Sequence, residues 1–494
     1  MIITHGAQRA IIGAYFALLA VIYLIAWFQP AIGLAQEDAV HLVTAKALAT
    51  GHGYVIESLP HPNPQTQYPP FFSAVLALAI LISQQSLWLK LVPLACTAGW
   101  LWLTRKLLRM MGASWIASLI LVALTAASPV VIFLSTSLLP QTLFGLLATA
   151  TLLALLQERA WLAGVLAGLA TLSQVSGLAL IAACILTFVA RRRFRNAATF
   201  TLVAMVICAP WFGWSLAHIT HDAASAIHAP LTVFSSLAAN EKLVVIGHNL
   251  VTLIASPVSL LTGYTNTITI TTTLLVFIWC LIVRRQTVPD LFILLYGLAL
   301  ICLITPPERD VAPVLPLLLW MIWRVVRLVR FREPLAAIVI IALTVPAAIG
   351  VTRFIAARNS GSFPGAGPVP DRWSELQKIY AYIRKETPAD SVVLANMDAL
   401  AFLNTGRKSV RGFDANGFDL YYSPRQLPVA PDQLSKSIIE SRVGYVVLAP
   451  DQGLPESASF HRSVEALERG GVVEPISIPG LAPGYALFRV VNSG

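Results

Sequence analysis

Long apolar runs separated by short polar stretches occupy most of this chain. The first run, Ile11 to Phe28, is followed by Pro30 and Gly33 without a small-residue cleavage pattern, so we interpret it as a retained membrane helix and not as a signal peptide. Runs of this length predict about eleven transmembrane helices. Their predicted bounds are 10–29, 87–108, 114–134, 141–157, 160–173, 175–190, 197–217, 266–284, 290–305, 311–329 and 335–353.

Composition and charge agree with a polytopic membrane protein. Of the 494 residues, 57% are hydrophobic and 12% are charged, which excludes a water-soluble globule. The net charge of +10 does not indicate nucleic acid binding, because the basic residues form short clusters between apolar runs, as in cytoplasmic loops. An odd number of spans then places the N-terminus in the cytoplasm and the C-terminus outside a bacterial inner membrane. The clusters are Arg105–Arg109, Arg191–Arg195, Arg284-Arg285 and Arg324–Arg332.

Two apolar stretches are irregular. If Phe71 to Ile82 crossed the bilayer, it would reverse the parity of the later loops, so we predict a half-inserted helix on the outer face. A short, steep span satisfies the hydropathy equally well. The run Trp161 to Ala190 is interrupted by polar residues from Thr171 to Gly177. This predicts two short helices whose break lines a cavity; the alternative is one kinked helix whose hydroxyls bond their own carbonyls.

The composition changes again near residue 359. Glycine and proline are concentrated in 359–370, which predicts a linker between a membrane part, 1–358, and a separate soluble α/β domain, 371–494, on the extracytoplasmic side. Within 371–494, helical and extended patterns alternate. We predict helices at Trp373–Glu386, Pro431–Ser441 and His461–Arg469, and strands at Ser391–Ala395, Tyr445–Leu448 and Tyr485–Val491.

The first outer loop, 30–70, carries two adjacent carboxylates, Glu37 and Asp38, directly after the first apolar run. Acids at the edge of a bilayer are costly, so a functional role is the default interpretation. The structural alternative for Asp38 is a helix cap, in which the carboxylate accepts hydrogen bonds from backbone amides.

The same loop predicts a short helix and a rigid turn. We expect Asp38, His41 and Lys46 to lie on one face of that helix and Gly51 to end it in a left-handed conformation. Tyr68-Pro69-Pro70 predicts an extended turn that starts the next helix. The alternative for Lys46 is a lysine that snorkels to the membrane interface.

We predict no metal site. His218, His221 and Asp222 have a suitable spacing but lack a further ligand, so we interpret them as structural. Every cysteine lies within an apolar segment, which indicates packing and no disulfide framework. The cysteines are Cys96, Cys184, Cys208, Cys280 and Cys302.

No glycine-rich phosphate loop, HExxH or GxSxG motif occurs, but the order of the loop motifs is informative. Glu37-Asp38, then Ala45 to Tyr54, then Tyr68-Pro69-Pro70 resembles the first-loop signature of GT-C membrane glycosyltransferases. That superfamily includes protein O-mannosyltransferases, which are the glycosyltransferase family 39 type, and the lipid A aminoarabinose transferase. Similar elements follow at Ser137–Phe144, Ala163–Leu172, Ala209-Pro210-Trp211 and Glu308-Arg309.

The resemblance implies an all-α polytopic GT-C-like fold that transfers a sugar, with inversion and without a cofactor, on the extracytoplasmic face. The implied donor is a polyprenyl-phosphate-linked sugar among the membrane lipids, and the acceptor is a lipid, glycan or protein. Asp38 would act as general base, with Arg309 and Lys46 facing the phosphate. The family position favours Asp38 over Glu37, the second catalytic candidate, and so does the helical face that Asp38 shares with His41 and Lys46. The other candidate substrate-binding residues are His41, Tyr68, Gln141 and Gln174.

Two departures from the family pattern concern charge. Gln141 stands where many relatives have an acid, and Gln174 where an arginine is frequent, so we predict a metal-independent site that relies on Arg309 and Lys46. For Arg309 the alternative is an ion pair with Glu308 or Asp310. The competing hypothesis is a non-catalytic scaffold or a transporter, although a transporter usually has charges near the midplane or repeated halves, and neither is apparent.

Overall fold

The computed structural model describes residues 5–28, 32–33, 36–218, 234–262, 288–303, 308–327, 373–413, 429–450 and 457–491, and isolated residues at 345, 348–349, 351–352, 356, 418 and 421–422. Up to residue 327 the described chain is almost entirely helical. The helices are α1 (His5–Trp27), α2 (Glu37–Ala49), α3 (Pro70–Ile82), α4 (Ser86–Leu89), α5 (Leu91–Met110), α6 (Trp115–Ala126), α7 (Pro129–Thr136), α8 (Gln141–Leu156), α9 (Ala160–Ser173), α10 (Gly177–Ala190), α11 (Phe194–Ala217), α12 (Ala239–Thr262), α13 (Val288–Ile301), α14 (Glu308–Val311) and α15 (Leu315–Val326). Between α2 and α3, β1 (Val55–Ile56) pairs antiparallel with β2 (Asn63–Pro64).

Most predicted spans within the described ranges coincide with these helices, with one correction. The predicted span 114–134 is not a single straight helix, because α6 and α7 meet at an angle of 66°. Ser128 caps α7 by accepting a hydrogen bond from the Val131 amide, and Pro129 occupies the first helical position. The predicted span 266–284 and most of 335–353 lie outside the described residues.

The sequence analysis missed helix α12. Glu241, Lys242 and Asn249 lower the hydropathy of its first half, yet Ala239–Leu261 is long and apolar enough to cross a membrane. Among the described helices, Ser86–Met110 and Phe194–Ala217 also meet this criterion, and the bent pair of α6 and α7 meets it as one broken span. The count of about eleven spans stays a prediction.

Two glycines allow the helices of the membrane part to approach closely. On α9, a Cβ atom at Gly164 would lie 2.7 Å from the Phe200 carbonyl oxygen, and one at Gly168 would lie 2.9 Å from Ile207, both on α11. This four-residue spacing of small residues is typical of closely packed membrane helices. It accounts for the small residues of Ala163–Leu172 by packing alone.

The polar break between α9 and α10 is confirmed. Gln174 is extended, with φ −152° and ψ 127°, and the chain then turns so tightly that a Cβ atom at Gly177 would lie 2.7 Å from the Thr171 backbone. The Thr171 and Ser173 hydroxyls do bond carbonyls one turn back, as the alternative interpretation expected, but the helix does not continue. The break therefore places a polar side chain, Gln174, at the end of α9.

Helix α3 starts as the two prolines predict. Pro69 is extended and Pro70 takes the first helical position, where a missing amide hydrogen costs little. One side of α3 packs against α2, while Leu78, Leu81 and Ile82 are exposed near its end. This apolar outer side is consistent with insertion into lipid, and whether α3 crosses the bilayer stays a prediction.

After residue 373 the chain forms a mixed sheet flanked by helices. The elements are α16 (Trp373–Glu386), β3 (Val392–Ala395), α17 (Asp398–Thr405), β4 (Lys408–Val410), α18 (Pro431–Glu440), β5 (Val443–Leu448), α19 (Ser457–Arg469), β6 (Val473–Ile476) and β7 (Ala486–Val490). The strands are ordered β4-β3-β5-β7-β6, with β3 parallel to β4 and β5, and β7 antiparallel to β5 and β6. The predicted helices and strands are all present, whereas α17, β4 and β6 were not predicted.

This C-terminal α/β unit, residues 373–491, is not packed as a separate body. Ala39 and Val43 of α2 belong to the same buried cluster as Ile379 of α16 and Leu400 of α17. Between the two parts, Ser409 also donates a backbone hydrogen bond to the Ser58 carbonyl (2.8 Å). The first-loop helix therefore shares a core with the C-terminal unit.

Candidate functional site

The acidic pair stands at the very start of α2, after a strained residue. Glu37 is the first residue of the helix, and Gln36 before it has φ 57° and ψ −54°, a conformation that costs a residue with a side chain about 1–3 kcal/mol. At the other end, the amides of Gly51 and His52 bond the carbonyls of Leu48 and Ala47, which is a Schellman motif. Gly51 has φ 81°, as predicted.

Asp38 lies inside the protein. Its side chain is 2% exposed, and its Oδ2 accepts a hydrogen bond from the Gly33 amide at 2.9 Å. Its Oδ1 lies 3.1 Å from the Ala39 amide. The carboxylate thus faces the backbone at the helix start, close to the cap that was weighed as the alternative, although one of its partners precedes the helix.

Glu37 faces the other way and meets Arg309 of α14. Their side chains form an ion pair at 3.4 Å, and they are 33% and 42% exposed. The Glu37 carboxylate raises the pKa of Arg309 above its usual value. The structure thus joins the first-loop acid to the late arginine, while Arg309 pairs with Glu37 and not with Glu308.

Asp310, which the sequence analysis named only as a partner for Arg309, connects the two glutamines. Gln141, at the start of α8, and Gln174, at the α9–α10 break, both donate from Nε2 to Asp310 Oδ1, at 3.2 Å and 2.8 Å. The Tyr296 hydroxyl donates to the Asp310 backbone carbonyl at 2.6 Å. An acid of α14 therefore lies next to both glutamines.

The surroundings of Asp310 contain groups that raise the pKa of its carboxyl group and groups that lower it. Burial raises the pKa of its carboxyl group and the Glu37 charge raises it further, whereas Arg309 and the two amide donors oppose the shift. The Oε1 atoms of Gln141 and Gln174 are buried and have no hydrogen-bond partner among the described residues. Each is an acceptor that a bound polar molecule could use.

His41 and Tyr68 pack together beside the pair of Glu37 and Arg309. The His41 ring lies 4.7 Å from the Tyr68 ring and 5.3 Å from the Phe72 ring, and its Nδ1 is 3.1 Å from Ser73 Oγ. Burial lowers the pKa of His41 to about 3, so it is neutral. Burial raises the pKa of Tyr68, an effect that Glu37 strengthens and Arg309 weakens. Tyr68 therefore borders this charged pair.

Lys46 does not lie close to Glu37 and Arg309. It lies nine positions after Glu37, which is about 13 Å along the helix axis. Its ammonium forms no ion pair among the described residues, and burial lowers its pKa. Asp38 and His41 are fully buried while Lys46 is partly exposed, so the three do not share one environment as predicted. The geometry fits the snorkelling alternative better.

The C-terminal unit contributes side chains that sequence reasoning missed. Gln36 Nε2 donates to Asp398 Oδ1 of α17 at 2.7 Å. Arg411 lowers the pKa of Asp398, which burial raises. Arg411 and Tyr421 are also near enough to Tyr68 to affect its pKa. No motif marks these residues, because only the packing of α2 on α17 brings them here.

Metal ligands are not assembled in the described part of the chain. It contains no group of three histidine, cysteine or acidic residues suited to a metal ion. His218 stacks on Trp214 at 3.7 Å, and His221 and Asp222 lie outside the described residues. The four described cysteines, Cys96, Cys184, Cys208 and Cys302, form no disulfide, and the first three are buried.

The fold as a whole is similar to that of solved structures. The crystal structure of ArnT from Cupriavidus metallidurans bound to undecaprenyl phosphate is similar over 97% of this chain and 98% of that chain, with a TM-score of 0.54 and 12% identity. The apo structure of the same protein is similar over 98% of this chain and 98% of that chain, with a TM-score of 0.52 and 11% identity. The chain therefore has the GT-C fold.

The sequence supports the same class. The sequence model of glycosyltransferase family 87, a GT-C family, matches residues 66–306. The predicted resemblance to GT-C membrane glycosyltransferases is thus confirmed, and the family model that matches is that of family 87. Arabinosyltransferase EmbB from Mycobacterium smegmatis gives a TM-score of 0.36 and 16% identity over 71% of this chain and 42% of that chain. No curated protein matches the sequence.

Proposed function

We propose that this protein transfers a sugar from a polyprenyl-phosphate-linked donor to a lipid, glycan or protein acceptor on the extracytoplasmic face of a bacterial inner membrane. The observation that carries the proposal is the contact between Glu37, at the start of the first-loop helix, and Arg309, 272 residues later. An acid next to a cation suits a reaction in which an acceptor loses a proton and a phosphate departs. The ArnT structure, which has the same fold, holds undecaprenyl phosphate.

The proposed reaction is a single displacement with inversion. A carboxylate takes the proton from the acceptor hydroxyl while that oxygen attacks the anomeric carbon of the donor sugar. The bond from this carbon to the phosphate oxygen breaks, and the electron pair leaves with the polyprenyl phosphate. Arg309, whose exposed guanidinium has further donors beyond Glu37, would stabilise that negative charge.

The geometry favours Glu37 over Asp38 as the base. The Glu37 carboxylate is one-third exposed, whereas that of Asp38 is buried and accepts backbone hydrogen bonds. A base must reach the proton that it abstracts. In this proposal Glu37 takes the proton, and Asp38, which the sequence pattern favoured, fixes the start of α2.

The remaining candidates would surround the donor. Tyr68 borders Glu37 and Arg309, and His41 supports the Tyr68 ring. The unpaired Oε1 atoms of Gln141 and Gln174 would accept hydrogen bonds from sugar hydroxyls. With Gln141 in place of the acid, we propose that the reaction needs no metal.

Transfer by the purified full-length protein in proteoliposomes tests the proposal, with radiolabelled polyprenyl-phosphate sugars and an extract of envelope lipids and glycans as acceptors. Glu37→Gln should lower kcat about 10²- to 10⁴-fold, as expected for loss of a general base. Glu57→Gln is the matched control, since Glu57 is a first-loop acid that instead meets His52.

Two outcomes would contradict the proposal. If Asp38→Asn abolished transfer in a folded protein while Glu37→Gln kept it, the base would be Asp38. If the wild type transferred no sugar from any of several donors, the non-catalytic scaffold would replace the enzyme.

A further inference from the structure

The backbone immediately before Glu37 is held in an unusual conformation. Gln36 has a φ of 57°, in the left-handed region that disfavours residues with a Cβ atom. Its carbonyl oxygen nevertheless accepts the first hydrogen bond of α2, from the Val40 amide at 3.1 Å. The direction of the Glu37 side chain therefore depends on whatever holds Gln36 in place.

The shortest described hydrogen bond of Gln36 is to the distant C-terminal unit. Asp398 Oδ1 accepts a hydrogen bond from Gln36 Nε2 at 2.7 Å, which is short for a nitrogen donor and typical of an ionised acceptor. Asp398 is itself the first residue of α17 and is followed by Leu400, which packs against Gly33 and Ala39. Residues on both sides of Gln36 thus rest on α17.

We propose that Asp398 is a positioning residue for Glu37, so that the C-terminal α/β unit forms part of the reaction site. Its hydrogen bond keeps Gln36 in the left-handed conformation from which Glu37 reaches Arg309. The inference rests on the proposed role of Glu37 as base. The reaction itself needs no group from Asp398.

Three variants separate this role from simple packing. Asp398→Ala removes the acceptor, and Asp398→Asn keeps a side-chain oxygen that Gln36 can bond. Gln36→Gly supplies the left-handed conformation without help, because glycine adopts positive φ readily. Lys408→Ala is the matched control: Lys408 Nζ donates to the Glu57 carbonyl at 2.5 Å, a bond between the same two parts that does not involve Gln36.

Steady-state sugar transfer gives the first readout. We expect Asp398→Ala to lower kcat about ten- to hundredfold, with less than a twofold change in the KM for the donor, because a displaced base slows the chemistry more than binding. Asp398→Asn should keep at least half of kcat. Adding Gln36→Gly to Asp398→Ala should restore part of the loss, and Lys408→Ala should stay within twofold of the wild type.

Hydrogen exchange gives a second readout that does not need activity. In Asp398→Ala, peptides covering 36–40 should exchange at least tenfold faster, while those of α9 should not change. Equal losses of kcat in the Ala and Asn variants, or in Asp398→Ala and Lys408→Ala, would overturn the inference. So would unchanged exchange at 36–40. An inactive wild type that still shows the exchange difference would refute the proposed function but not the positioning contact.

Discussion

The buried His41 predicts that the folded protein loses stability in mild acid. The His41 side chain is 1% exposed and its pKa in the folded state is about 3, against about 6.5 for an unperturbed histidine. Between these values the unfolded chain binds a proton that the folded protein does not. Stability from this group is therefore complete above pH 6.5 and is lost as the pH falls towards 3.

The size of the effect follows from the same values. Each pKa unit corresponds to about 1.4 kcal/mol, so lowering the pH from 6.5 to 5 should cost about 2 kcal/mol. The full difference, from 6.5 to about 3, would cost on the order of 5 kcal/mol. The full difference applies because His41 is enclosed by Tyr68, Phe72 and Ser73 and screened from water.

Thermal unfolding of the detergent-solubilised protein between pH 7.5 and 5 measures the loss. In His41→Asn, whose side chain keeps polar atoms for Ser73 but does not titrate in this range, the fall of Tm with acid should be smaller than in the wild type. His61→Asn, at an exposed histidine of the first loop, is the control and should keep the wild-type slope. Parallel curves for the wild type and His41→Asn would refute the reasoning.

Two further predictions concern packing around the site. Asp310→Ala should lower the free energy of unfolding by about 2–4 kcal/mol and lower sugar transfer, because it leaves the Gln141 and Gln174 amides without their acceptor. Asp310→Asn should lower the free energy of unfolding by less than half as much. Equal Tm values for the two variants would contradict this prediction. Gly33→Ala should lower Tm more than Gly53→Ala does. Both glycines have positive φ, but the new Cβ atom would lie 2.6 Å from Leu400 at Gly33, whereas Gly53 has open space around it.

Local signals allowed much of the architecture to be predicted. The Gly51 cap, the Pro69-Pro70 helix start and the α9–α10 break each depend on residues within one or two turns, so the sequence displays them directly. The alternating elements after residue 373 follow from the same short-range periodicity.

The composition of the site could be predicted only in part. Glu37 and Arg309 came from a resemblance whose order of motifs spans the membrane part, and the structure brings them together. Asp310 and Asp398 could not be found in this way, since an acid in a short loop becomes informative only when packing shows what surrounds it. Helix α12 was missed for a different reason: its charged and amide residues lower the average hydropathy, although Asn249 uses its side chain to bond carbonyls at the end of α13.

The core that α2 shares with α16 and α17 also imposes an order of events during biosynthesis. Gln36 and Asp398 are 362 residues apart, so at 5–20 residues per second the second is made about 20 to 70 s after the first. During that interval Ala39 and Val43 have no C-terminal partner to cover them. Chains released before the C-terminal unit is made would therefore contain the membrane helices but lack the Gln36–Asp398 contact that, in the proposal above, positions the first-loop acid.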